Sequence, residues 1–369
     1  MSTIIKAKQY LLNNYATWGP VNLNYDTPEA TFKYNELEYD LSDANLLKPG
    51  EILVESIHLS NDPAQKGWFK SNKDSYLPPS PLGKPAPARG VGKVLKSNND
   101  KYKEGDFVQA HLGWTTHSIF NADEKLTSKL DLSKVSKLSQ FLSVFGSTTL
   151  TAYVAAYKYS ELTPKDTDRV FLVSGAAGAV GSVLVQILAK DFKPKKVLAI
   201  AGGADKVKFV ESLGPNVIGI DYKSSTYEED FAKALGDDKI DVFFDQVAGE
   251  ILDHASQYLK TFGKIVQIGA ISGYNDPTKS YFKNYAASIL HKRLRIQGFV
   301  VIDDFKDSAK IIAHLEELFQ NGTLDKSKFH ETIVDATGDN FVKIPELWTG
   351  LFTGTNKGKF ITTVAKGYD

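Results

Sequence analysis

The chain has 369 residues with 44 basic and 44 acidic side chains, and it is 42% hydrophobic and contains no cysteine. Its length predicts about two domains. Zero formal net charge argues against a nucleic-acid or membrane-surface binder, because such proteins carry a basic bias. The lack of cysteine excludes disulfides, thiolate metal sites and catalytic thiols.

The N-terminus has no long apolar stretch behind a basic start, as a signal peptide would have. No run of the sequence approaches the ~18 consecutive apolar residues of a membrane-spanning helix. We therefore expect a cytoplasmic protein that has no membrane partner.

Residues 1–140 have the pattern of a β-rich domain. Glu51–Leu59 is a predicted strand that follows the turn Lys48-Pro49-Gly50. Proline and glycine are dense from Tyr76 to Gly92, which predicts loops around short strands. Lys103–Ala110 is predicted to be a turn that runs into another strand.

From Phe145 onward, apolar strands alternate with helices. The predicted helices are Ser147–Tyr159, Ser182–Lys190, Lys206–Leu213 and Asp307–Gln320. The predicted strands are Arg169–Ser174, Lys196–Ala201, Asn216–Ile220, Ile240–Asp245, Gly263–Ile268 and Leu294–Val301. This alternation predicts an α/β domain with a doubly wound parallel sheet, and near-continuous apolar strands fit burial on both faces.

After residue 320 the pattern becomes irregular, and Lys359–Val364 is the last predicted strand. This tail is too short for an independent third domain. We therefore predict that it completes the first domain, so that residues 1–145 and 322–369 form one discontinuous domain and residues 146–321 form the other.

The strongest local motif is the glycine-rich segment Val173–Ser182, which follows a strand and opens a helix. From Ala176 it reads A-x-G-x-x-G, a dinucleotide fingerprint in its required context. Gly178 would let the backbone approach a pyrophosphate, and Gly181 would allow close packing of helix on strand. Free N–H groups at the helix N-terminus would bind the phosphates. The alternative is an ordinary tight turn.

The segment Ala201–Lys206 bears on the choice between NAD and NADP. NAD sites usually carry an acidic residue at the end of the second strand, whereas glycines occupy that position here. Lys206 could neutralise a 2′-phosphate, or it could be an ordinary solvated lysine. Asp205 argues for NAD, unless it caps the following helix. NADP is favoured, and NAD remains open.

The sequence resembles the medium-chain dehydrogenase/reductase superfamily, and within it the zinc-independent leukotriene B4 dehydrogenase, prostaglandin reductase and 2-alkenal double-bond reductase family. The resemblance covers nearly the whole chain. The matching segments are Gly113–Ile119, Leu150–Tyr153, Gly175–Ser182, Asp221–Lys223, Phe244–Gly249, Gly269–Asn275, Phe299–Val301 and Asn356–Lys359.

This resemblance implies a GroES-like, β-rich catalytic domain built from both chain ends and a Rossmann domain between them. It also implies NADPH or NADP as cofactor and a homodimer. The implied cofactor residues are Gly178, Ala179, Val180 and Gly181 for the pyrophosphate, Lys206 and Tyr222 for the 2′-phosphate, Ile268, Gly269, Ala270, Ile271, Ser272, Gly273, Tyr274, Phe299, Val300 and Val301 at the nicotinamide end, and Asn356 from the tail.

Two positions depart from the family pattern. Gln246, which the resemblance also implies as a cofactor residue, stands where many relatives have asparagine; it keeps the amide but is one carbon longer. Relatives often have Asp-Pro-Tyr where this chain has Asp62-Pro63-Ala64. Residue 64 therefore cannot supply the hydroxyl that has been assigned to the substrate site of relatives. The substrates of those relatives therefore cannot simply be carried over to this chain.

No metal site is expected. The seven histidines form no HExxH motif, and His111 and His117 fit structural histidines better than ligands. Without a Lewis acid, alcohol oxidation is disfavoured. Addition of hydride to the β-carbon of an activated C=C bond needs only donors for the developing enolate and a proton for the α-carbon.

Tyr274 is the candidate for the proton-donating hydroxyl, because it follows the carboxyl end of the fifth predicted strand, where open α/β sheets bind ligands. The alternative is that its ring only packs on the cofactor. The sequence thus predicts an NADPH-dependent reductase of small α,β-unsaturated aldehydes or ketones. A quinone reductase of the same superfamily and a non-catalytic nucleotide-binding protein are the alternatives.

Overall fold

The computed structural model describes residues 3–71 and 75–368. The chain packs into two compact units. The first unit consists of residues 1–142, 332–355 and 360–369, and the second of residues 143–331 and 356–359. The short segment 356–359 thus packs with the second unit, whereas the predicted division assigns the entire tail to the first.

The second unit is built on a six-stranded sheet in which every strand pairing is parallel. Its strands are β8 (Val170–Val173), β9 (Lys196–Ala201), β10 (Val217–Asp221), β11 (Ile240–Asp245), β12 (Leu259–Gln267) and β13 (Arg295–Gly298). Their order across the sheet is β10-β9-β8-β11-β12-β13, the 3-2-1-4-5-6 order of a dinucleotide-binding Rossmann sheet. The predicted doubly wound parallel sheet is confirmed.

Alternate residues of these strands enter different hydrophobic cores. On β8, Phe171 and Val173 belong to one apolar cluster, while Val170 and Leu172 belong to another. Because helices cover both faces, the strands are apolar without alternation. The helices are α3 (Ser147–Val154), α4 (Ala179–Lys190), α5 (Ala204–Glu211), α6 (Tyr227–Leu235), α7 (Gly249–Ser256), α8 (Tyr285–Lys292) and α9 (Ser308–Gln320).

Three local predictions for this unit are corrected. The helix that begins at Ser147 is α-helical only to Val154 and continues as a π-helix over Ala155–Tyr159. Strand β13 ends at Gly298, because a 3-10 helix begins at Val301. Asp205 does not cap helix α5: that helix already starts at Ala204 after Gly203, whose φ of +95° suits glycine, so Asp205 lies in the first helical turn.

The first unit is β-rich and antiparallel in the pairings described. Its strands are β1 (Ile4–Leu12), β2 (Phe32–Asp40), β3 (Glu51–Asn61), β4 (Gly90–Ser97), β5 (Phe107–Ala110), β6 (His117–Asn121), β7 (Ser128–Lys129), β14 (Glu331–Asp335) and β15 (Lys359–Thr363). The short helices are α1 (Gln65–Trp68), α2 (Gln140–Ser143) and α10 (Ile344–Thr349).

The core of this unit is aromatic. Trp114 and Trp348 are fully buried, and Phe69 packs edge-on against both, with ring centroids 5.5 and 5.2 Å away. Strand β15 pairs with β3, so the tail completes the sheet begun near the N-terminus. Among the helices of the described residues, none combines the length and apolar character needed to cross a bilayer.

Candidate functional site

The carboxyl ends of the six parallel strands meet at one edge of the sheet. The predicted cofactor residues that precede residue 302 all lie in the turn or first helical turn that follows one of these ends, in segments 178–181, 206, 222, 246, 268–274 and 299–301. Strands β8 and β11 are neighbours, so the strand order reverses between them. Open α/β sheets bind ligands in the crevice at such a switch point.

Two glycines shape the turn after β8, and one of them, Gly181, has no room for a side chain. Gly178 is the N-cap of α4, and no side chain of the described residues caps that helix. A Cβ on Gly181 would lie 2.7 Å from the Cα of Ala176 and closer still to the carbonyl of Gly175. The helix N-terminus therefore approaches the strand closely and presents its backbone N–H groups at the sheet edge.

Asp245 joins the ends of three strands, and sequence reasoning missed it. Its carboxylate is fully buried and accepts hydrogen bonds from the Ser174 hydroxyl at 2.6 Å and the Gln267 amide at 2.9 Å. The backbone N–H groups of Val247 and Ala248 also donate to it. Burial raises the pKa of Asp245, and these donors oppose the rise. An aspartate directly after the apolar run Val242–Phe244 was the available signal.

Gln246 follows Asp245 and bonds back across the switch point. Its side-chain amide donates to the Ser174 carbonyl at 2.7 Å, and its backbone N–H donates to the Ser174 hydroxyl at 2.9 Å. These two hydrogen bonds link the residue that follows β11 to the residue that follows β8.

The turn after β12 packs against the residues that follow β11. The backbone N–H of Ile271 donates to the Gln246 carbonyl at 3.2 Å, and the Ser272 hydroxyl donates to the Val247 carbonyl at 2.6 Å. The half-buried Tyr274 folds back over this turn, and its hydroxyl oxygen accepts a long bond of 3.5 Å from the N–H of Ala270. Tyr274 thus lies at the carboxyl edge of the sheet with its hydroxyl over residues 269–270.

Phe299, just beyond β13, is held by the π-helix. Its ring stacks on Tyr159, with centroids 4.2 Å apart and planes inclined by 12°. The Tyr159 hydroxyl donates to buried Asp304 at 2.9 Å, and Lys158 forms an ion pair with the same carboxylate. The π-helix Ala155–Tyr159 therefore orients the segment that contains Phe299, Val300 and Val301.

The turn after β9 is lined by residues from the end of β10. Asp221 accepts hydrogen bonds through one carboxylate oxygen from the N–H of Gly203 at 2.8 Å and of Lys223 at 2.9 Å. The exposed ring of Tyr222 covers Gly202, where a Cβ would lie 2.7 Å from it. Burial lowers the pKa of half-buried Lys206, and the charges of two other lysines lower it further.

Asn356 lies on a segment that contacts the glycine-rich turn. The N–H of Gly358 donates to the Ala177 carbonyl at 2.7 Å, and Gly358 forms a parallel bridge with Gly178. The Asn356 side-chain amide donates to the Gly358 carbonyl at 3.1 Å, so the side chain is held against its own segment. The structure thus brings Asn356 into the neighbourhood of Gly178.

His111 and His117, the two histidines considered as possible metal ligands, lie next to other protein side chains. His117 contacts the Thr116 hydroxyl at 3.1 Å, and burial lowers its pKa while Glu55 opposes that change. The His111 ring lies 6.5 Å from the Trp68 ring. Across the described residues, no group of three potential metal ligands was found.

Comparison with known proteins places the chain in a family. Residues 24–128 match a family profile described as the N-terminal domain of oxidoreductase, and residues 179–317 match one described as zinc-binding dehydrogenase. A Saccharomyces cerevisiae protein named as uncharacterized membrane protein YML131W is 44% identical, covering 98% of this chain and 99% of its own. The NADPH-dependent curcumin reductase of Escherichia coli is 30% identical, covering 89% of this chain and 92% of its own.

The chain belongs to the zinc-independent medium-chain dehydrogenase/reductase family. The 2-alkenal reductase (NADP⁺-dependent) of Nicotiana tabacum is a further relative, 29% identical over 99% of this chain and 100% of its own. Among solved structures, CurA of Vibrio vulnificus in complex with NADPH matches with a TM-score of 0.80 at 26% identity, covering 98% of this chain and 100% of that one. The two units are thus the Rossmann and GroES-like parts of this reductase fold.

Proposed function

We propose that this protein is an NADPH-dependent reductase that saturates the C=C bond of α,β-unsaturated aldehydes and ketones. The observation that carries the proposal is the turn 269–274, which packs at the switch-point edge of a Rossmann sheet and brings a tyrosine hydroxyl there. Relatives that are named as 2-alkenal reductase and curcumin reductase support the reaction class.

The residues at this edge fit NADPH. Gly181 lets α4 approach the end of β8 closely, and the uncapped N-terminus of α4 at Gly178 suits a pyrophosphate. Gly202 and Gly203 place no side chain of their own at the end of β9, while Lys206 and Tyr222 offer a cation and a hydroxyl for a 2′-phosphate. NADPH is therefore the cofactor, and CurA of Vibrio vulnificus, which binds it, shares the fold.

When bound, NADPH supplies the hydride that adds to the β-carbon of the substrate. The protein has to stabilise negative charge on the carbonyl oxygen and deliver a proton to the α-carbon. We propose that the Tyr274 hydroxyl performs the second task. The N–H of Ala270, which donates to that oxygen at 3.5 Å, would keep the hydroxyl over the turn 269–274.

Ala64 bears on the substrate range. It is the residue before α1 and offers only a methyl group where many relatives have a tyrosine. We propose that substrates which depend on that second hydroxyl are handled poorly, and that small enals and enones are favoured.

An assay of NADPH oxidation tests the proposal against its alternatives. The purified full-length chain is mixed with NADPH and an enal, an enone or a quinone, before and after exhaustive treatment with a chelator. We expect turnover of the enal and the enone that survives chelation, with the saturated carbonyl as the product. Turnover of the quinone alone would favour a quinone reductase, and activity that is lost on chelation and restored by zinc would contradict the zinc-independent mechanism.

The homodimer remains a proposal, and one sheet edge supports it. Strand β13 ends the sheet within the described chain, and all four of its residues are exposed. Phe262 in β12 and Leu290 in α8, the helix that packs against β12, are 68% and 72% exposed. An exposed sheet edge with exposed apolar side chains near it offers a surface for pairing with a second copy. A cytoplasmic location likewise remains a prediction.

A further inference from the structure

Three lysines from distant parts of the sequence gather beside the glycine turn that follows β9. Lys206 lies in the first turn of α5, Lys223 follows β10, and Lys357 lies on the segment that contacts the glycine-rich turn. The positive charges of Lys223 and Lys357 both act on Lys206 and lower its pKa, after burial, which has the larger effect. We call these three residues the lysine cluster.

Backbone bonds fix Lys223 at this place. Asp221 accepts the N–H of Lys223 and of Gly203 with the same oxygen, which ties the end of β10 to the turn after β9. A Cβ on Gly202 would lie 3.0 Å from the Cε of Lys223, so the lysine chain runs over the glycine face. Its ammonium lies 5.9 Å from the Tyr222 ring centroid. Lys223 therefore shares the surroundings of Tyr222, to which a 2′-phosphate contact is assigned.

Lys357 is fixed by the glycine that follows it. Gly358 has a φ of +64°, bonds to the Ala177 carbonyl, and approaches the His330 carbonyl so closely that a Cβ would overlap it. The Lys357 ammonium lies 5.6 Å from the Phe209 ring. Because Phe209 is three residues after Lys206 on α5, the two residues share one helix face. Lys357 therefore reaches the surface of α5 that carries Lys206.

We propose that Lys223 and Lys357 act with Lys206 as a three-point clamp for the 2′-phosphate of NADPH. The inference rests on the proposed function, since it takes NADPH as the cofactor. Three ammonium groups held close together repel one another, and a dianionic phosphate between them would relieve that repulsion through charge-assisted hydrogen bonds. The clamp adds two specificity residues to Lys206 and Tyr222.

Direct binding measurements on the full-length chain test the clamp without turnover. Dissociation constants are measured calorimetrically for NADPH and NADH, and for the fragments 2′,5′-ADP and 5′-ADP. The variants are Lys223→Met and Lys357→Met, which keep an apolar side chain of similar length. Lys208→Met is the matched control, because Lys208 is an exposed lysine on the same helix.

We expect each clamp variant to weaken binding of NADPH and 2′,5′-ADP about tenfold, the scale of one charge-assisted contact. Binding of NADH and 5′-ADP should change less than about twofold, and the NADPH affinity of the variants should depend less steeply on salt. The Lys208→Met variant should match the wild type.

The outcomes separate the two proposals. If the wild type prefers NADPH and neither clamp variant reduces that preference, the clamp is wrong and the cofactor proposal stands. If a clamp variant weakens the binding of NADPH and of NADH equally, the lysine has a structural role and the clamp proposal is again wrong. If the wild type binds both cofactors equally, the cofactor proposal fails, and the clamp fails with it.

Discussion

Lys206 is the residue on which the preference for NADPH depends most directly. Replacing it with glutamate removes a charge-assisted contact and sets a like charge beside the 2′-phosphate. We expect the KM for NADPH to rise roughly ten- to a hundredfold, the equivalent of losing about 1.5–3 kcal/mol, while kinetics with NADH change little. Steady-state kinetics with both cofactors measure this. Lys208→Glu on the same helix is the control, and an equal loss with both cofactors would contradict the assignment.

Tyr274 can be tested by separating its hydroxyl from its ring. Tyr274→Phe should lower kcat and kcat/KM together for an enal, with NADPH affinity nearly unchanged, because only a transition-state interaction is lost. A positioned proton donor contributes ~10²–10⁴-fold, and we expect the lower end, since water can also protonate an enolate.

The alternative for Tyr274 is a packing role. In that case Tyr274→Phe should behave almost like the wild type, whereas Tyr274→Ala should weaken binding of the cofactor. Kinetics on both variants, with NADPH binding followed by fluorescence, distinguish the roles. If the kcat of Tyr274→Phe lies within about threefold of the wild-type value, the Tyr274 hydroxyl is not the proton donor.

Lys66 gives the stability of the first unit a specific pH dependence. It is buried, and its ammonium donates to the Gly19 carbonyl at 2.6 Å. Burial, aided by the charge of Lys70, lowers the pKa of Lys66 from 10.5 to about 8. Between these values the unfolded chain binds more protons than the folded one, so the free energy of unfolding rises with pH in that window.

Replacing Lys66 with methionine should remove this rise. Between pH 7 and pH 9.5 we expect the free energy of unfolding of the wild type to rise by ~1–2 kcal/mol more than that of Lys66→Met. This figure allows for partial screening of the ammonium by solvent. Urea denaturation at the two pH values measures the gain. Lys33→Met replaces an exposed lysine and is the control. Parallel pH profiles for wild type and Lys66→Met would show that the Lys66 ammonium is not perturbed.

At the level of helices and strands, helix α4 makes a close contact with the turn after β8 in the candidate site. Gly181→Ala would push a methyl group into Ala176 and the Gly175 carbonyl. We expect a loss of ~1–3 kcal/mol in the free energy of unfolding and weaker binding of NADPH, because the helix N-terminus must move outward.

A second helical glycine provides the comparison for Gly181. Gly67 in α1 has no neighbouring atom within 4 Å of a built Cβ, so Gly67→Ala should leave stability nearly unchanged. Thermal unfolding followed by circular dichroism, with and without NADPH, measures both variants. Equal melting temperatures for Gly181→Ala and wild type would mean that the close approach is not required.

At the scale of the whole molecule, the exposed edge beside β13 predicts self-association. Leu290→Lys places a charge on this surface and should convert a dimer to a monomer, because burying an unpartnered ammonium costs several kcal/mol. Light scattering coupled to size-exclusion chromatography measures the mass. Leu82→Lys, at an exposed leucine of the first unit, is the control. A wild-type mass of one chain would rule out the homodimer.

Much of the second unit could be predicted because its signals are local. Central strands such as β8 and β9 are recognisable as short, buried apolar runs, and the glycine motif needs only its neighbours to be recognised. The first unit was harder. Strand β2, Phe32–Asp40, is rich in polar residues and was not predicted, since its place in the fold depends on pairing with β1.

Residue types and their near spacing establish which chemistry is possible at the candidate site. The sequence contains no cysteine for a thiolate, it places glycines where a phosphate could approach, and it carries Lys206 and Tyr274 after the ends of strands. These conclusions depend on residue type and near spacing, which folding does not change. The family resemblance added roles for residues, such as Asn356, whose spacing implied nothing.

Contacts between residues that are far apart in the sequence depend on the fold. Asp245 joins three strand ends, the π-helix holds Phe299, and Lys357 lies near Lys206 because a tail segment bonds to the glycine-rich turn. Each of these contacts joins residues that lie between about twenty and more than a hundred positions apart in the sequence. Local propensity carries no information about such pairs, because their proximity follows from strand order and chain reversal.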